Sequence, residues 1–268
     1  MNKEGDDFVN SIDRKQKIIE ILQENNSVKI LNLSKDLKVT RETIRKDLYD
    51  LEKEGLIKKI HGGAILDSSN HETDYERRKL NQEDAKKGIA KEAIQHIEDG
   101  DIIYLDYGST TFFLAKELCK SNKNITVVTN TIPIVNLLLH KETINLVILG
   151  GMVRKNEDSL FGPFASNNIK TIYVDMGFFG CGGIDSLSGI TNHHIGETEI
   201  SKEMLSHCKN KIILADNSKF GIMAFNQTVE FSDVDIIITD KEIEDEDIQS
   251  EISKYNVEVV VAREMDGG

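Results

Sequence analysis

From residue 84 onward, short apolar runs alternate with helical stretches, and this alternation restricts the fold more than any other feature of the sequence. Most of the runs are continuous, as expected for strands that helices cover on both faces. Strands separated by helices predict an α/β domain with a largely parallel sheet. The predicted strands are Ile102–Leu105, Ile125–Thr129, Asn145–Leu149, Thr171–Phe178, Lys211–Ala215, Asp235–Thr239 and Val257–Val261. An amphipathic helix from Asp84 to Gly100 precedes them.

A different pattern occupies residues 14–66, where three short helices are followed by a hairpin. Each helix has an apolar face: Ile18, Ile19, Ile21 and Leu22 in the first, Ile30, Leu31, Leu33 and Leu37 in the second, and Ile44, Leu48 and Leu51 in the third. Thr40 can cap the third helix, which is expected to end at Gly55. Gly62-Gly63 divides the run LIKKIHGGAIL into two short strands, as in a β-hairpin wing. This order predicts a winged helix-turn-helix, with the third helix in the DNA major groove.

The charge distribution also favours a nucleic-acid partner for this segment, although the whole chain carries a net charge of −13. Residues 14–62 hold twelve Lys/Arg and eight Asp/Glu, a charge of +4, so the rest of the chain carries −17. A mildly basic segment joined to an acidic body is common among DNA-binding proteins. Chance clustering is the alternative explanation.

Four segments follow from these patterns: a flexible lead-in at 1–13, a DNA-binding domain at 14–66, a linker at 67–83 and an α/β domain at 84–262. We expect no signal peptide or membrane span, because no run of about 18 apolar residues occurs. The three cysteines, Cys119, Cys181 and Cys208, lack C-x-x-C spacing, which favours reduced thiols in the cytoplasm. His193-His194 has no Cys or acidic partner at helical spacing, so we expect neither a metal site nor a cofactor.

Polar side chains on the third helix and the wing are the candidate DNA contacts. They are Arg41, Thr43, Arg45 and Lys46 on the helix, and Lys58, Lys59 and His61 on the wing. Arginine can pair with guanine O6 and N7, and wing residues can contact phosphates. A surface helix with solvated charges is the alternative, but three helices followed by a wing favour DNA binding. Two recognition helices must reach half-sites about 34 Å apart, so we expect a homo-oligomer, a dimer or tetramer.

A second site is predicted where the strands of the α/β domain end. DYGSTT, residues 106–111, opens a helix whose first N–H groups favour a phosphate, and Lys219 would neutralise one. Four further polar or glycine-rich segments follow other strands, and ligands of open parallel sheets bind at this edge. The predicted ligand-binding residues are Asp106, Gly108, Ser109, Thr110, Thr111, Thr129, Asn130, Gly150, Gly151, Asp175, Gly177, Asp216 and Lys219. Each segment alone is more often a turn or a helix start.

The stretches TIRKDL (Thr43–Leu48) and GLIKKIHGGA (Gly55–Ala64) closely resemble the DNA-binding domain of the DeoR family of repressors. The resemblance implies that Arg45 and Lys46 contact DNA, and that Arg41 helps to choose the operator. Residues 84–240 resemble the family's Rossmann-like sensor domain and, more remotely, ribose-5-phosphate isomerase. This implies a double-stranded DNA operator, a phosphorylated sugar as effector and release of DNA on binding it. In the family pattern a Glu opens the helix after the G-I-T segment; Glu197 matches it, and the resemblance implies a contact with the sugar.

Two other functions remain as alternatives. One is a sugar-phosphate isomerase with an added regulatory domain. The isomerases carry two carboxylates in a D-G-A-D pattern because the reaction moves protons between neighbouring carbons. Here Asp175–Phe178 matches by eye, and Phe178 replaces the second carboxylate, which favours binding without turnover. The other alternative is an interaction module whose N-terminal helices bind a protein.

Overall fold

A computed structural model describes residues 14, 15, 17–19, 21, 22, 27–53, 57–60, 62–66 and 75–262 of the chain. The chain divides into two compact units, residues 1–71 and 72–268. The predicted lead-in at 1–13 lies outside the described residues. Among the residues that are described, no helix is long and apolar enough to cross a membrane.

The smaller unit is a winged helix-turn-helix, as predicted. Its helices are α1 within residues 14–22, α2 (Ile30–Asp36) and α3 (Arg41–Lys53). Its strands are β1 (Ser27–Lys29), β2 (Ile57–Ile60) and β3 (Gly63–Leu66), in the antiparallel order β1-β3-β2. Strands β2 and β3 form the predicted wing. The sequence did not predict β1, because three residues are too few to show a period.

The apolar faces of the three helices meet in one small core, which includes Ile18, Leu22, Ile44 and Leu48 with the strand residue Ile57. A charged pair lies at the margin of this core. Arg14 donates from Nε to Asp47 Oδ2 at 2.5 Å and from Nη2 to Asp47 Oδ1 at 3.0 Å. This two-pronged pair joins the first helix to the third, and Asp47 is only 2% exposed.

The larger unit contains a seven-stranded sheet, and all of its strand pairs are parallel. Its strands, in spatial order, are β15 (Glu258–Val261), β14 (Ile236–Thr239), β12 (Cys208–Leu214), β9 (Val174–Gly180), β4 (Ile102–Leu105), β5 (Ile125–Thr129) and β6 (Ile144–Ile148). These are the seven strands that the apolar runs predict. The predicted parallel α/β architecture is therefore confirmed.

Seven helices accompany the sheet: α4 (Tyr75–Leu80), α5 (Glu83–Ala93), α6 (Ser109–Lys120), α7 (Ile132–Leu138), α8 (Pro163–Ile169), α9 (Ile195–Leu205) and α10 (Glu246–Ile252). One core cluster joins one face of the sheet to α5, α6 and α7. A second cluster joins the other face to α8, α9 and α10. Alternating strand residues explain both clusters, since Phe178 packs into the first and Phe179 into the second.

Two small sheets lie beside the central one. The hairpin β7 (Met152–Arg154) and β8 (Ser159–Phe161) is antiparallel. The strands β10 (Gly183–Asp185), β11 (Gly189–Asn192) and β13 (Asn226–Val229) form the other, in the order β10-β11-β13. Both small sheets follow the carboxyl ends of strands of the central sheet, so they can add walls to a site at that edge.

Part of the segment that we expected to be a linker, 67–83, is helical in the structure. Residues 67–74 lie outside the described residues, but Tyr75–Leu80 is a helix of the larger unit, and α5 begins at Glu83. Tyr75 is buried and packs edge-on against Phe112 at 6.4 Å between ring centroids. This six-residue helix is mostly charged and has only one buried aromatic residue. Its sequence therefore shows no helical period of apolar residues, and the sequence analysis did not predict it.

Candidate functional site

Helix α3 presents the predicted DNA-contacting side chains because its apolar face is used by the core. The Thr43 N–H donates to Thr40 Oγ1 at 3.1 Å, which is the predicted cap at the start of the helix. Ile44, Leu48 and Leu51 are buried. Arg41, Arg45 and Lys46 are exposed and Thr43 is half-buried. The arrangement places three cations on the surface of the helix.

The wing adds two exposed lysines, Lys58 and Lys59. Lys59 is held in place by α3, because its Nζ lies 3.0 Å from Glu52 Oε2 and 4.9 Å from the centroid of the Tyr49 ring. Arg45 forms an ion pair with Glu42 on the same helix. His61, the remaining predicted contact, lies outside the described residues.

In the larger unit, a cleft lies at the carboxyl edge of the central sheet. It encloses a cavity of about 50 Å³. Its walls come from the ends of the neighbouring strands β4, β9 and β12, together with α4 and β11. The lining residues are Arg78, Tyr107, Gly108, Ser109, Thr110, Gly180, Cys181, Gly182, Asn192, His193 and Lys219. Three of the five segments predicted to converge thus meet in one cavity.

The start of α6 forms one wall of the cleft. Gly108 precedes the helix with φ 121° and ψ 166°, a conformation that a residue with a Cβ atom rarely adopts. No side chain caps the helix. The first backbone N–H groups, at Ser109 and Thr110, therefore lack a side-chain acceptor at a place where the helix dipole favours an anion.

The end of β9 forms the opposite wall, and its glycines allow close approach. A Cβ atom on Gly180 would lie 3.3 Å from the Tyr107 carbonyl oxygen. A Cβ atom on Gly182 would lie 3.0 Å from the His193 ring. Larger residues at these positions would therefore push the walls of the cleft apart.

Positive charge dominates the cleft. Lys219 and Arg78 line it, and the Arg78 side chain is 14% exposed. Burial, followed by the charges of Lys219 and Arg78, lowers the pKa of His193 to about 4. His193 is therefore neutral near pH 7, and its Nδ1 is buried without a hydrogen-bond partner among the described residues. Two cations beside a helix start suit a ligand with a compact negative charge.

Four other predicted ligand residues lie beneath the cleft and are fully buried or nearly so. Asp106 accepts from Tyr104 Oη at 3.0 Å and from Ser201 Oγ at 2.7 Å. Thr111 donates to the Gly108 carbonyl, Thr129 to the Leu105 carbonyl and Asn130 to the Leu160 carbonyl. These bonds support the strand ends, and none of the four residues lines the cleft. The second polar atom of Asn130, Oδ1, is buried without a partner among the described residues.

Four further predicted ligand residues also do not line the cleft. Asp216 is 1% exposed and accepts from the Ser218 N–H at 3.1 Å. Gly150 and Gly151 follow β6, the edge strand, and do not line the cleft. Glu197 is 0% exposed, and its two oxygens accept from Arg154 and Ser159. Burial raises the pKa of Glu197 while these partners lower it.

The prediction for Asp175 and Gly177 is wrong. We predicted a strand over Thr171–Phe178 with ligand-binding residues near its carboxyl end, but β9 runs from Val174 to Gly180. Asp175 therefore lies at the amino edge, where it accepts from the Ile102 N–H at 3.0 Å and from Lys209 Nζ at 2.6 Å. The isomerase pattern that we placed on Asp175–Phe178 consequently falls on a strand interior, and Phe178 is a core residue.

The pattern analysis missed seven of the lining residues. These are Arg78, Tyr107, Gly180, Cys181, Gly182, Asn192 and His193. Arg78 belongs to a helix inside the segment predicted as linker, and Tyr107 lies between the predicted residues Asp106 and Gly108. Gly180, Cys181 and Gly182 lie at the end of β9, beyond the predicted end of the strand at Phe178. Among the described residues, no group of three His, Cys, Asp or Glu side chains could hold a metal ion.

Comparison with known proteins follows the same division of the chain. The model of the DeoR-like helix-turn-helix domain matches residues 14–70, and that of the DeoR C terminal sensor domain matches residues 81–241. The uncharacterized HTH-type transcriptional regulator YulB of Bacillus subtilis (strain 168) is 34% identical over 85% of this chain and 88% of its own length.

Two further relatives have more specific names. The lactose phosphotransferase system repressor of Staphylococcus epidermidis is 31% identical over 94% of this chain and 100% of its own. The glycerol-3-phosphate regulon repressor of Escherichia coli (strain K12) is 30% identical over 83% of this chain and 88% of its own. Among solved structures, ribose 5-phosphate isomerase A from Methanocaldococcus jannaschii has a TM-score of 0.40 at 22% identity, over 52% of this chain and 55% of that chain.

Proposed function

Given that this chain belongs to the DeoR family of helix-turn-helix transcriptional regulators, we propose that it is a cytoplasmic repressor of sugar-metabolism genes. Its operator affinity is controlled by a phosphorylated sugar bound in the cleft of the larger unit. The ligand releases the repressor from DNA. Coupling of about 1–3 kcal/mol between the two sites would change operator affinity 5–150-fold.

The observation that carries this proposal is the chemistry of the cleft. An uncapped helix start at Ser109 and Thr110 shares one cavity with Lys219 and Arg78. Backbone N–H groups and cations together recognise the oxygens of a phosphate. Asn192 and the neutral His193 add groups that can exchange hydrogen bonds with hydroxyls.

The names of the relatives support this ligand class. One is a repressor of a lactose phosphotransferase system, and another a repressor of a glycerol-3-phosphate regulon. For this chain we propose only the class, a small carbohydrate that carries a phosphate.

Thermal unfolding of the full chain against phosphorylated sugars and their unphosphorylated parents tests the ligand class. A ligand present at 100 times its dissociation constant stabilises the folded state by about 2.7 kcal/mol. We expect one phosphosugar to raise the unfolding temperature and its parent sugar to leave the temperature unchanged. Equal shifts with both would contradict a phosphate site.

Lys219→Ala should remove the ligand-dependent shift and leave operator binding intact, because the lost cation faces the cleft in the larger unit. Lys241→Ala is the matched control, since Lys241 is exposed beyond β14 and does not line the cleft. The measurements are thermal shift and operator binding by fluorescence anisotropy. If Lys219→Ala keeps the ligand affinity of the control, the proposed site is wrong.

The alternatives are less well supported. The chain is a regulator and not an enzyme, because its family and its relatives are transcriptional regulators. An interaction module would bind its partner with little dependence on salt, whereas phosphate contacts make DNA affinity fall steeply with salt concentration.

We also propose a homo-oligomer, a dimer or tetramer, because paired half-sites need two recognition helices.

A further inference from the structure

We propose that Arg78 exchanges partners when the cleft is filled: it leaves Glu157 and binds the anion, so that α4 and the β7–β8 turn sense occupancy. This inference rests on the proposed function, because it requires an anion in the cleft. It adds a ligand-binding residue and a way for the ligand to act on the start of the larger unit.

Arg78 lies between the carboxylate of Glu157 and the cleft in which we propose that the phosphate binds. Its guanidinium lines the cleft and forms an ion pair with Glu157. Glu157 belongs to the turn between β7 and β8, and its side chain is 0% exposed. The same guanidinium thus lies within reach of both the cleft and a buried carboxylate.

The pair with Glu157 leaves room for competition. Arg78 contacts Oε1 of Glu157, whereas Oε2 is buried without a hydrogen-bond partner among the described residues. A guanidinium can bind phosphate through two parallel N–H···O bonds. A phosphate dianion beside Lys219 can therefore compete for Arg78 when Glu157 takes up a proton, because a buried carboxyl group without a partner is stable only in its neutral form.

Helix α4 is attached to the parts of the unit that would sense this exchange. Lys86 of α5 is 3% exposed and donates from Nζ to the carbonyls of Arg78 and Asn81, both at 2.5 Å. Tyr75 packs against Phe112 of α6, the helix whose start forms a wall of the cleft. A shift of the Arg78 side chain therefore acts on a helix held at both of its ends.

Helix α4 lies close in sequence to the DNA-binding unit. The boundary between the two units falls between His71 and Glu72, and α4 begins at Tyr75. The helix is thus the first described element after the DNA-binding unit. Ligand binding that changes the contacts of α4 acts where the chain leaves that unit.

The experiment uses the full chain and inorganic phosphate as the probe, with affinity measured by isothermal titration calorimetry. We expect Arg78→Gln to weaken phosphate binding about tenfold or more, which corresponds to about 1.4 kcal/mol. Arg77→Gln is the matched control, because it removes the same charge from the same helix at a residue that does not line the cleft. Glu157→Gln should tighten phosphate binding, since it removes the competing carboxylate.

Hydrogen exchange of the β7–β8 turn, residues 155–158, provides a second measurement. Phosphate should speed exchange of this turn in the wild type, because Glu157 loses its partner. In Arg78→Gln the turn should exchange fast already, and phosphate should have no further effect. Arg77→Gln should respond as the wild type does.

The outcomes separate this inference from the proposed function. If the wild type does not bind phosphate, or if Lys219→Ala binds it normally, the proposed function and this inference both fail. If Lys219→Ala loses phosphate while Arg78→Gln binds it as Arg77→Gln does, only the role of Arg78 is wrong. An exchange rate of the turn that phosphate does not change in the wild type overturns the partner exchange.

Discussion

Asp106 shows how one residue can look like a ligand in the sequence and prove structural in the fold. It directly follows β4, at a position where we expected a carboxylate that binds the sugar. It is 0% exposed, and Tyr104 and Ser201 donate to its two oxygens. Burial raises the pKa of Asp106 to about 7, although the hydrogen bonds from Ser201, Tyr107 and Tyr104 lower it. A carboxyl group held this way links β4 to α9 beneath the cleft.

This pKa predicts a pH-dependent stability. Between the ordinary pKa of 3.8 and about 7, the unfolded chain loses the Asp106 proton while the folded chain keeps it. The free energy of unfolding should therefore fall as pH rises from about 4 to about 7. Asp106→Asn cannot ionise, so it should lack this fall in urea unfolding of the larger unit.

Asp175→Asn is the control of opposite sign. The Lys209 ammonium and the Ile102 N–H lower the pKa of Asp175, so its stabilising effect is present above the ordinary aspartate pKa and is lost as pH falls. Equal pH slopes for the wild type and Asp106→Asn would show that Asp106 ionises alike in both states.

At the scale of elements, helix α3 was predicted almost completely and strand β9 was not. The spacing of Ile44, Leu48 and Leu51 identified the buried face of α3, because residues three or four positions apart lie on the same face of a helix. Strand β9 is buried on both faces, so its residues show no alternation that would mark where it ends. Because β9 begins three residues after the predicted start at Thr171, Asp175 is its second residue and lies at the amino edge of the sheet.

The exposed face of α3 carries a prediction about DNA. Lys46→Ala should lower the salt dependence of operator binding, reducing the slope of log affinity against log salt by about 1, because one phosphate contact is lost. Lys241→Ala, in the larger unit, should leave that slope unchanged. Anisotropy titrations at several salt concentrations measure both variants. An unaltered slope for Lys46→Ala would show that Lys46 does not contact phosphate.

At the scale of the whole molecule, the chain consists of two units with separate hydrophobic cores. The core of the smaller unit is built from α1, α2, α3 and the wing, whereas two clusters cover the faces of the central sheet in the larger unit. The residues that line the cleft all lie between Arg78 and Lys219, within the larger unit. Ligand binding should therefore need only that unit.

A fragment of residues 72–268 should bind the phosphosugar found in the thermal panel with the affinity of the full chain. The physical reason is that the core and the cleft are complete within the fragment. Calorimetric titration of both proteins provides the test, and unfolding of the fragment should remain cooperative. A fragment that folds but binds more than about tenfold more weakly, a loss of about 1.4 kcal/mol, would place part of the site in the smaller unit.

The sequence by itself determined the elements whose residues repeat with a clear period or form long apolar runs: the winged helix-turn-helix, all seven parallel strands and the helix start at Ser109. Local chemistry is sufficient there, because period and capping depend on neighbouring residues. Only the tertiary structure decided which polar residues face the cleft. It buried Asp106 and Glu197 among protein partners and brought Arg78 from a presumed linker to Lys219. Such placements bring into one cleft residues that are up to 141 positions apart in the chain, and no local pattern records them.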